Sequence, residues 1–300
     1  MYHYVRDLPK TRFPRLHAMR TDAFAKQVAE LKERYDVVPL ETALAFLSGG
    51  YKPARDLVVL TFDDGLKEHF TDVTPVLIEH SLQGFFFIPT AGVGDQRVLS
   101  VHKSHFLMAS LGFEEYRSAF LARLAKVAPS VSTDLDRANA ESTYRWDTPD
   151  VAAFKYLLNF CLSTDVRSQV LDSLFETYLG NEAEFARDLY LTWDEGRQMQ
   201  KAGMLLGGHS HNHVPLASLP DATRQSDLQT CMEFLRRNLN PQNLWPFSYP
   251  YGKTSSFNSA TVQTLQELGI CCSFGTEVGT NAAGEDLYRL RRLDPKDVAA

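Results

Sequence analysis

Leu57-Val58-Val59-Leu60-Thr61-Phe62-Asp63-Asp64-Gly65 decides the reading of the fold. The run from Leu57 to Phe62 is continuously apolar but for one threonine, as in strands buried on both faces of a parallel sheet. It ends abruptly in two carboxylates and a glycine. Outward from it the chain alternates. Before it, residues 22–34 place Phe24, Val28, Leu31 and Tyr35 on one helical face. Val37, Val38 and Leu40 then read as a short strand, and residues 41–50 as a helix stopped at Gly49-Gly50. After it, a helix over 72–80 leads to the apolar run Phe85-Phe86-Phe87-Ile88, closed by Pro89. Strands separated by helices imply βαβ units and an α/β fold on a parallel sheet.

Between about residues 97 and 188 the alternation lapses. Residues 113–127, 151–162 and 165–180 each carry a helical apolar stripe, and the segment 136–150 between them is polar and turn-rich. This stretch reads as a mostly helical insertion in a single domain spanning 1–300. Alternation resumes at Thr192-Trp193-Asp194-Glu195, which matches a capping box. A helix ended by Gly203, the strand Met204-Leu205-Leu206, a helix over 221–239, a strand over 244–250, a helix over 258–268 and a strand over 270–274 follow.

Bulk properties narrow the function. The 300 residues carry a formal charge of -6, so no global positive field attracts nucleic acid or anionic lipid. Cys161, Cys231, Cys271 and Cys272 form no C-x-x-C pair, and buried reduced thiols are the simplest reading. No stretch approaches the roughly 18 apolar residues of a membrane span. The first ten residues lack a signal-peptide core. With residue 1 as the start, these features point to the cytoplasm.

Three constellations carry chemistry, and each follows a strand. The first is Thr61-Phe62-Asp63-Asp64-Gly65. Adjacent carboxylates leaving a sheet are costly unless something positive neutralises them, and strand C-termini line the active sites of parallel α/β folds. On this piece alone, aspartates capping the next helix would serve as well. The second is Gly207-Gly208-His209-Ser210-His211-Asn212-His213. Neutral imidazoles are common metal ligands, and a helical turn would point His209 and His213 the same way, leaving His211 for a supporting or substrate contact. Two histidines and a carboxylate leave metal positions open for water and substrate. The third is Phe247-Ser248-Tyr249-Pro250-Tyr251-Gly252-Lys253, a tight turn whose tyrosines could stack on a sugar or present backbone N–H groups.

Together the three constellations resemble the motifs of the NodB-homology polysaccharide deacetylases, carbohydrate esterase family 4. Thr61–Gly65 looks like the first motif of that family, His209–His213 like the second, and Ser248–Gly252 like a variant of the third. The resemblance covers about residues 57–92 and 190–275. It implies a distorted (β/α)7-type barrel with a divalent metal at the strand C-termini. By matching positions, Asp64, His209 and His213 would bind the metal, and Asp63 would be the catalytic base. Zinc suits this donor set; cobalt, nickel or manganese would also bind. The oxyanion would sit on the metal and the Tyr251 N–H.

The sequence departs from that pattern in three places. Ser248 stands where the family has an arginine that pairs with the base, and Arg292, in Leu290-Arg291-Arg292, is the first choice to replace it. A surface salt bridge is the equal alternative for these arginines. No histidine follows His213, so the family's C-terminal general acid is missing. His102 and His105 are the best candidates for that role, and His3 the next. The family's fourth motif is also absent.

The residues Tyr2–Arg6, the helical insertion and the arginine-rich end look like members associated with bacterial surface-polysaccharide synthesis. The substrate expected is an N-acetyl or N-formyl amino sugar, carried as a nucleotide- or lipid-linked precursor whose phosphates Lys253, Arg289, Arg291 and Arg292 would hold. Trp245, Tyr249 and Tyr251 favour a sugar by stacking. Two other readings use the same residues: a hydrolase of a small non-sugar amide, and a silent binding protein that keeps the metal and the fold. Asp63 speaks for an enzyme, since a binding protein needs no base beside the metal.

Overall fold

Eight parallel strands form two sheets in the computed structural model of the chain, which describes residues 1–133 and 135–298. Strands β1 (Asp36–Val37) and β2 (Leu57–Val58) make a two-stranded sheet. The main sheet holds β3 (Leu60–Phe62), β4 (Gly84–Ile88), β5 (Leu205–Gly208), β6 (Pro246–Ser248), β7 (Cys272–Val278) and β8 (Leu290–Arg292). They lie side by side in sequence order, the order of a β/α barrel.

The chain divides into two compact units. The first comprises Met1–Asp7, His17–Gln96 and Ala186 onward, and contains both sheets. Its centre is β4, whose Phe85, Phe86, Phe87 and Ile88 are fully buried. Phe62 of β3 stacks on Phe86 with ring centroids 4.7 Å apart and on Tyr2 at 5.1 Å. Such apolar rows on both faces are the signature of a sheet covered on each side. The helix Thr21–Arg34 buries Phe24, Val28 and Leu31 against one face, and Asp221–Asn238 buries Leu228, Cys231, Met232 and Leu235.

The sheet curls until its two edges nearly meet. Tyr2 fills the gap beside β3, taking the Thr61 carbonyl (2.8 Å) and giving its own carbonyl to Asp63 N–H (2.9 Å). On the other side the Met1 nitrogen donates to the carbonyl of Leu293, just past β8 (2.9 Å). Residues 1–2 therefore act as a stave between the first and last strands of the main sheet.

Several local expectations need correction. The run Leu57–Phe62 is two strands: Leu57-Val58 pairs with Asp36-Val37, and Leu60–Phe62 joins the main sheet. Leu40 opens a helix (Leu40–Leu47) behind Pro39 and extends no strand. The helix expected over 72–80 begins as a π-helical turn at His69–Val73. The turn-rich segment before residue 150 contains a helix, Arg137–Thr143, capped by the Asp136 side chain. Thr192 and Glu195 do form the capping box. Cys161 is exposed, unlike the buried Cys231 and Cys272.

The second unit comprises Leu8–Leu16 and Arg97–Phe185. It is helical: Ser100–Leu111, Phe113–Val127 and Thr164–Leu179 pack through Phe106, Leu107, Tyr116, Phe120, Leu171 and Phe175. Within it, Phe13 packs edge-on against Phe106 (4.9 Å). The buried Lys103 is held by Asp172 (2.5 Å) and Glu182 (2.8 Å). Among the described residues, no helix is long and apolar enough to cross a membrane.

Candidate active site

The three turns that follow β3, β5 and β6 share a backbone signature. Six non-glycine residues have positive φ among the described residues, and four of them lie here: Asp64 (84°), Ser210 (60°), His213 (51°) and Tyr251 (62°). Side chains resist this left-handed region, and such strain collects where a site is being shaped.

Asp64, His209 and His213 are buried and aim one ligand atom each at a common point, all within 4.8 Å of one another. Asp64 Oδ1 lies 3.6 Å from His209 Nε2 and 3.4 Å from His213 Nε2. The edge of a tetrahedron around an ion about 2.1 Å from each ligand is about 3.4 Å, so the spacing fits a divalent cation. The tautomer fits as well. His209 donates from Nδ1 to the Ser248 carbonyl (2.6 Å), which leaves the Nε2 lone pair directed at the cluster. Burial opposes charge on His209, but the neighbouring Asp64 and Asp63 raise its pKa above the ordinary imidazole value.

No helical turn brings the two histidines together. Residues 209–214 are irregular, and their shape comes from two acceptors. Ser210 Oγ takes the His213 N–H (3.0 Å). Asp227, from the helix Asp221–Asn238, takes the N–H groups of His211 (2.8 Å) and Asn212 (3.0 Å) and the Asn212 side-chain amide (2.8 Å). His211 points away from the cluster: its ring nitrogens face Thr90 Oγ1 (2.9 Å) and Asp95 (3.3 Å).

Asp63 lies on the other side of the pair. Arg292 of β8 grips it with both terminal nitrogens, Nη1 to Oδ1 (2.8 Å) and Nη2 to Oδ2 (2.7 Å). Ser248 Oγ donates to the same Oδ2 (3.1 Å) and accepts from Arg292 Nη2 (2.9 Å). Arg292 Nε is tied to the Gly275 carbonyl (2.7 Å), so the guanidinium is fixed at both ends. Burial pushes the Asp63 carboxyl up, but the Arg292 charge and hydrogen bonds, with His209 and His3 nearby, hold it well below the usual carboxylate range.

Other expected residues fall elsewhere. Tyr251 packs its ring 5.3 Å from that of His213. Trp245 and Tyr249 are buried in the core, Tyr249 stacked on Phe257, and offer no face to a sugar. Arg292 is spent on Asp63; Arg291 pairs with Glu285 (2.5 Å) and Arg289 with Asp286 (3.5 Å), so the arginine-rich end forms no open phosphate cradle. His102 and His105 lie on the helix Ser100–Leu111 of the second unit, where His102 is fully buried. Sequence reasoning did not find Asp227 or His69. Asp227 sits 14 positions beyond His213 in an ordinary amphipathic helix, with no local signal.

A family model for polysaccharide deacetylases matches residues 160–272, a span that includes His209 and His213. Among curated proteins, none matches the sequence. Solved structures match over nearly the whole chain. The deacetylase PplD of Streptococcus pyogenes, in complex with acetate, is 16% identical over 99% of this chain and 94% of its own, with a TM-score of 0.58. IcaB from Ammonifex degensii is 17% identical over 98% and 90%, with a TM-score of 0.59. The BpsB deacetylase domain from Bordetella bronchiseptica is 18% identical over 97% and 92%, with a TM-score of 0.56. At these identities the likeness is one of fold, and it is the fold expected from the three motifs. The polysaccharide deacetylase model thus matches the span that holds the second and third motifs, and the chain as a whole is similar to these deacetylases in fold.

Proposed function

We propose that the chain is a metal-dependent hydrolase that removes an N-acetyl or N-formyl group from an amino sugar of a surface polysaccharide or its nucleotide- or lipid-linked precursor. The observation that carries this reading is the pairing of a buried two-histidine, one-carboxylate cluster with a separate carboxylate, Asp63, locked by Arg292. A binding protein has no use for the second carboxylate. Asp64, His209 and His213 would hold the cation. When bound, it would polarise the amide carbonyl and acidify a water molecule.

The chain's own groups divide the remaining work. Asp63 is kept ionised by Arg292 and Ser248 and takes the proton of the attacking water. The same lock makes it a weak base, so its value lies in position more than in basicity. Tyr251 supplies its main-chain N–H to the oxyanion. Ser248 links the two halves of the site: its carbonyl orients His209, and its hydroxyl bridges Arg292 and Asp63.

The test is metal content and product release. Wild-type protein reloaded with zinc should bind close to one equivalent by elemental analysis, and the His209→Ala/His213→Ala variant should bind none. Loaded wild type should release acetate from N-acetylglucosamine oligomers or nucleotide-linked N-acetyl sugars, and Asp63→Asn should not. Equal metal in both proteins, or no acyl release from any such sugar, would end this reading.

A further inference from the structure

Expelling an amine from an amide requires a proton on the departing nitrogen, and Asp63 and the metal cluster account only for the attack. The histidines around the site are mostly committed. His209 and His213 face Asp64, and His211 is bound between Thr90 and Asp95. His69 is fully buried, with Nε2 on the His3 carbonyl (2.9 Å). His3 differs from all of these. Its neighbours Tyr2 and Tyr4 are buried at 4% and 6%, yet its own side chain is 42% exposed, with Nε2 3.9 Å from Asp63 Oδ2.

Its position is imposed by the backbone. Tyr2 is hydrogen-bonded on both sides into the end of β3, and the Tyr4 carbonyl accepts from Met19 N–H (3.0 Å). His69 pins the carbonyl of His3 itself. The residue is thus fixed in the main chain and open at its ring, on the rim beside the carboxylate expected to activate water.

We propose that His3 is a catalytic residue of this reaction, the acid that protonates the leaving amine; this rests on the deacylase reading above. The steps balance. The water oxygen bonds to the carbonyl carbon as one of its protons passes to Asp63. The C–N bond breaks as nitrogen takes a proton from His3 Nε2. Asp63 then returns its proton to His3 across the short gap between them, leaving the free acid and the amine as products.

An acid acting on the leaving group matters only when that group leaves badly. His3→Gln should therefore lower turnover of an N-acetyl amino sugar by about 100-fold or more. It should leave hydrolysis of 4-nitrophenyl acetate, whose phenolate departs unprotonated, within a few-fold of wild type. Zinc content and the urea midpoint should match wild type. Parallel loss of both activities, or full retention of both, overturns the assignment while the deacylase reading stands. A loaded wild type that cleaves neither substrate overturns both.

Discussion

Arg292 and Asp63 lie 229 positions apart in sequence, yet form a two-pronged contact of 2.8 and 2.7 Å inside the protein. Arg292 lies in the last strand of the main sheet and Asp63 directly follows the first, so the pair links its two edges. The contact also makes good what Ser248 cannot supply. A serine reaches Asp63 but carries no charge to neutralise it, and it serves as a neutral bridge between carboxylate and guanidinium.

Removing the guanidinium should damage both stability and catalysis. Arg292→Met leaves Asp63 buried without its counter-ion, a change that costs about 3–5 kcal/mol in comparable pairs. Arg292→Lys keeps a charge but cannot reach both oxygens, and should fall between Met and wild type in both stability and kcat. Urea unfolding and turnover of all three proteins decide this. Equal stability of Met and wild type would show that the pair does not hold the sheet edges.

Asp227 should govern metal affinity without touching the metal. It holds three N–H donors of the loop between His209 and His213, and an asparagine there would turn an amide group toward some of them. Supporting residues of this kind are worth about 10–100-fold in metal binding. Asp227→Asn should weaken zinc by that factor in a competition titration with a chelator. An unchanged affinity would mean that Ser210 alone shapes the loop.

How far the sequence discloses this site depends on how local each part is. Asp63-Asp64 and His209/His213 announce themselves because each sits in a few residues at the end of an apolar strand. Arg292 could be nominated only through a resemblance, because its pairing depends on how far a curled sheet closes. The strand that carries it has three residues, too few for an alternation pattern to show. His3 ranks only behind His102 and His105 for the same reason: nothing in Tyr2-His3-Tyr4 says that Tyr2 will pair with Phe62. The run Leu57–Phe62 misled in the opposite sense, since uniform hydrophobicity cannot reveal that the chain changes sheets at Val59.

Close packing under the metal loop makes a sharp stability prediction. At Gly207 of β5, an added Cβ would stand 2.3 Å from the Pro246 carbonyl oxygen and 2.9 Å from the Phe87 ring. Backbone on one side and a core aromatic on the other leave no cheap relief, and Gly207→Ala should cost about 3 kcal/mol or more. Gly203 is the control: its φ is 90° with open space around it, so Gly203→Ala should cost only about 1–2 kcal/mol. Similar urea midpoints for the two variants would contradict the packing at β5.

His69 should make the protein acid-labile well above the pH at which carboxylates titrate. Burial lowers its pKa from 6.5 to about 4, outweighing the hydrogen bond to the His3 carbonyl and the nearby Asp64, which raise it. The folded-state value lies below the unfolded one, so the unfolded chain takes up the proton first. The contribution of the neutral ring is complete above pH 6.5 and is lost as the pH falls toward 4. At about 1.4 kcal/mol for each pH unit, the loss is about 3 kcal/mol. Asp63 also has a depressed pKa, and its contribution is lost only below its unfolded value of about 3.9. The two therefore separate on the pH axis. In chelator-treated protein, stability from urea unfolding should decline between pH 6.5 and 4 for wild type. His69→Gln, which retains a donor for the His3 carbonyl but has no imidazole to charge, should flatten that decline. If the two proteins lose stability in parallel, the buried imidazole of His69 is not its source.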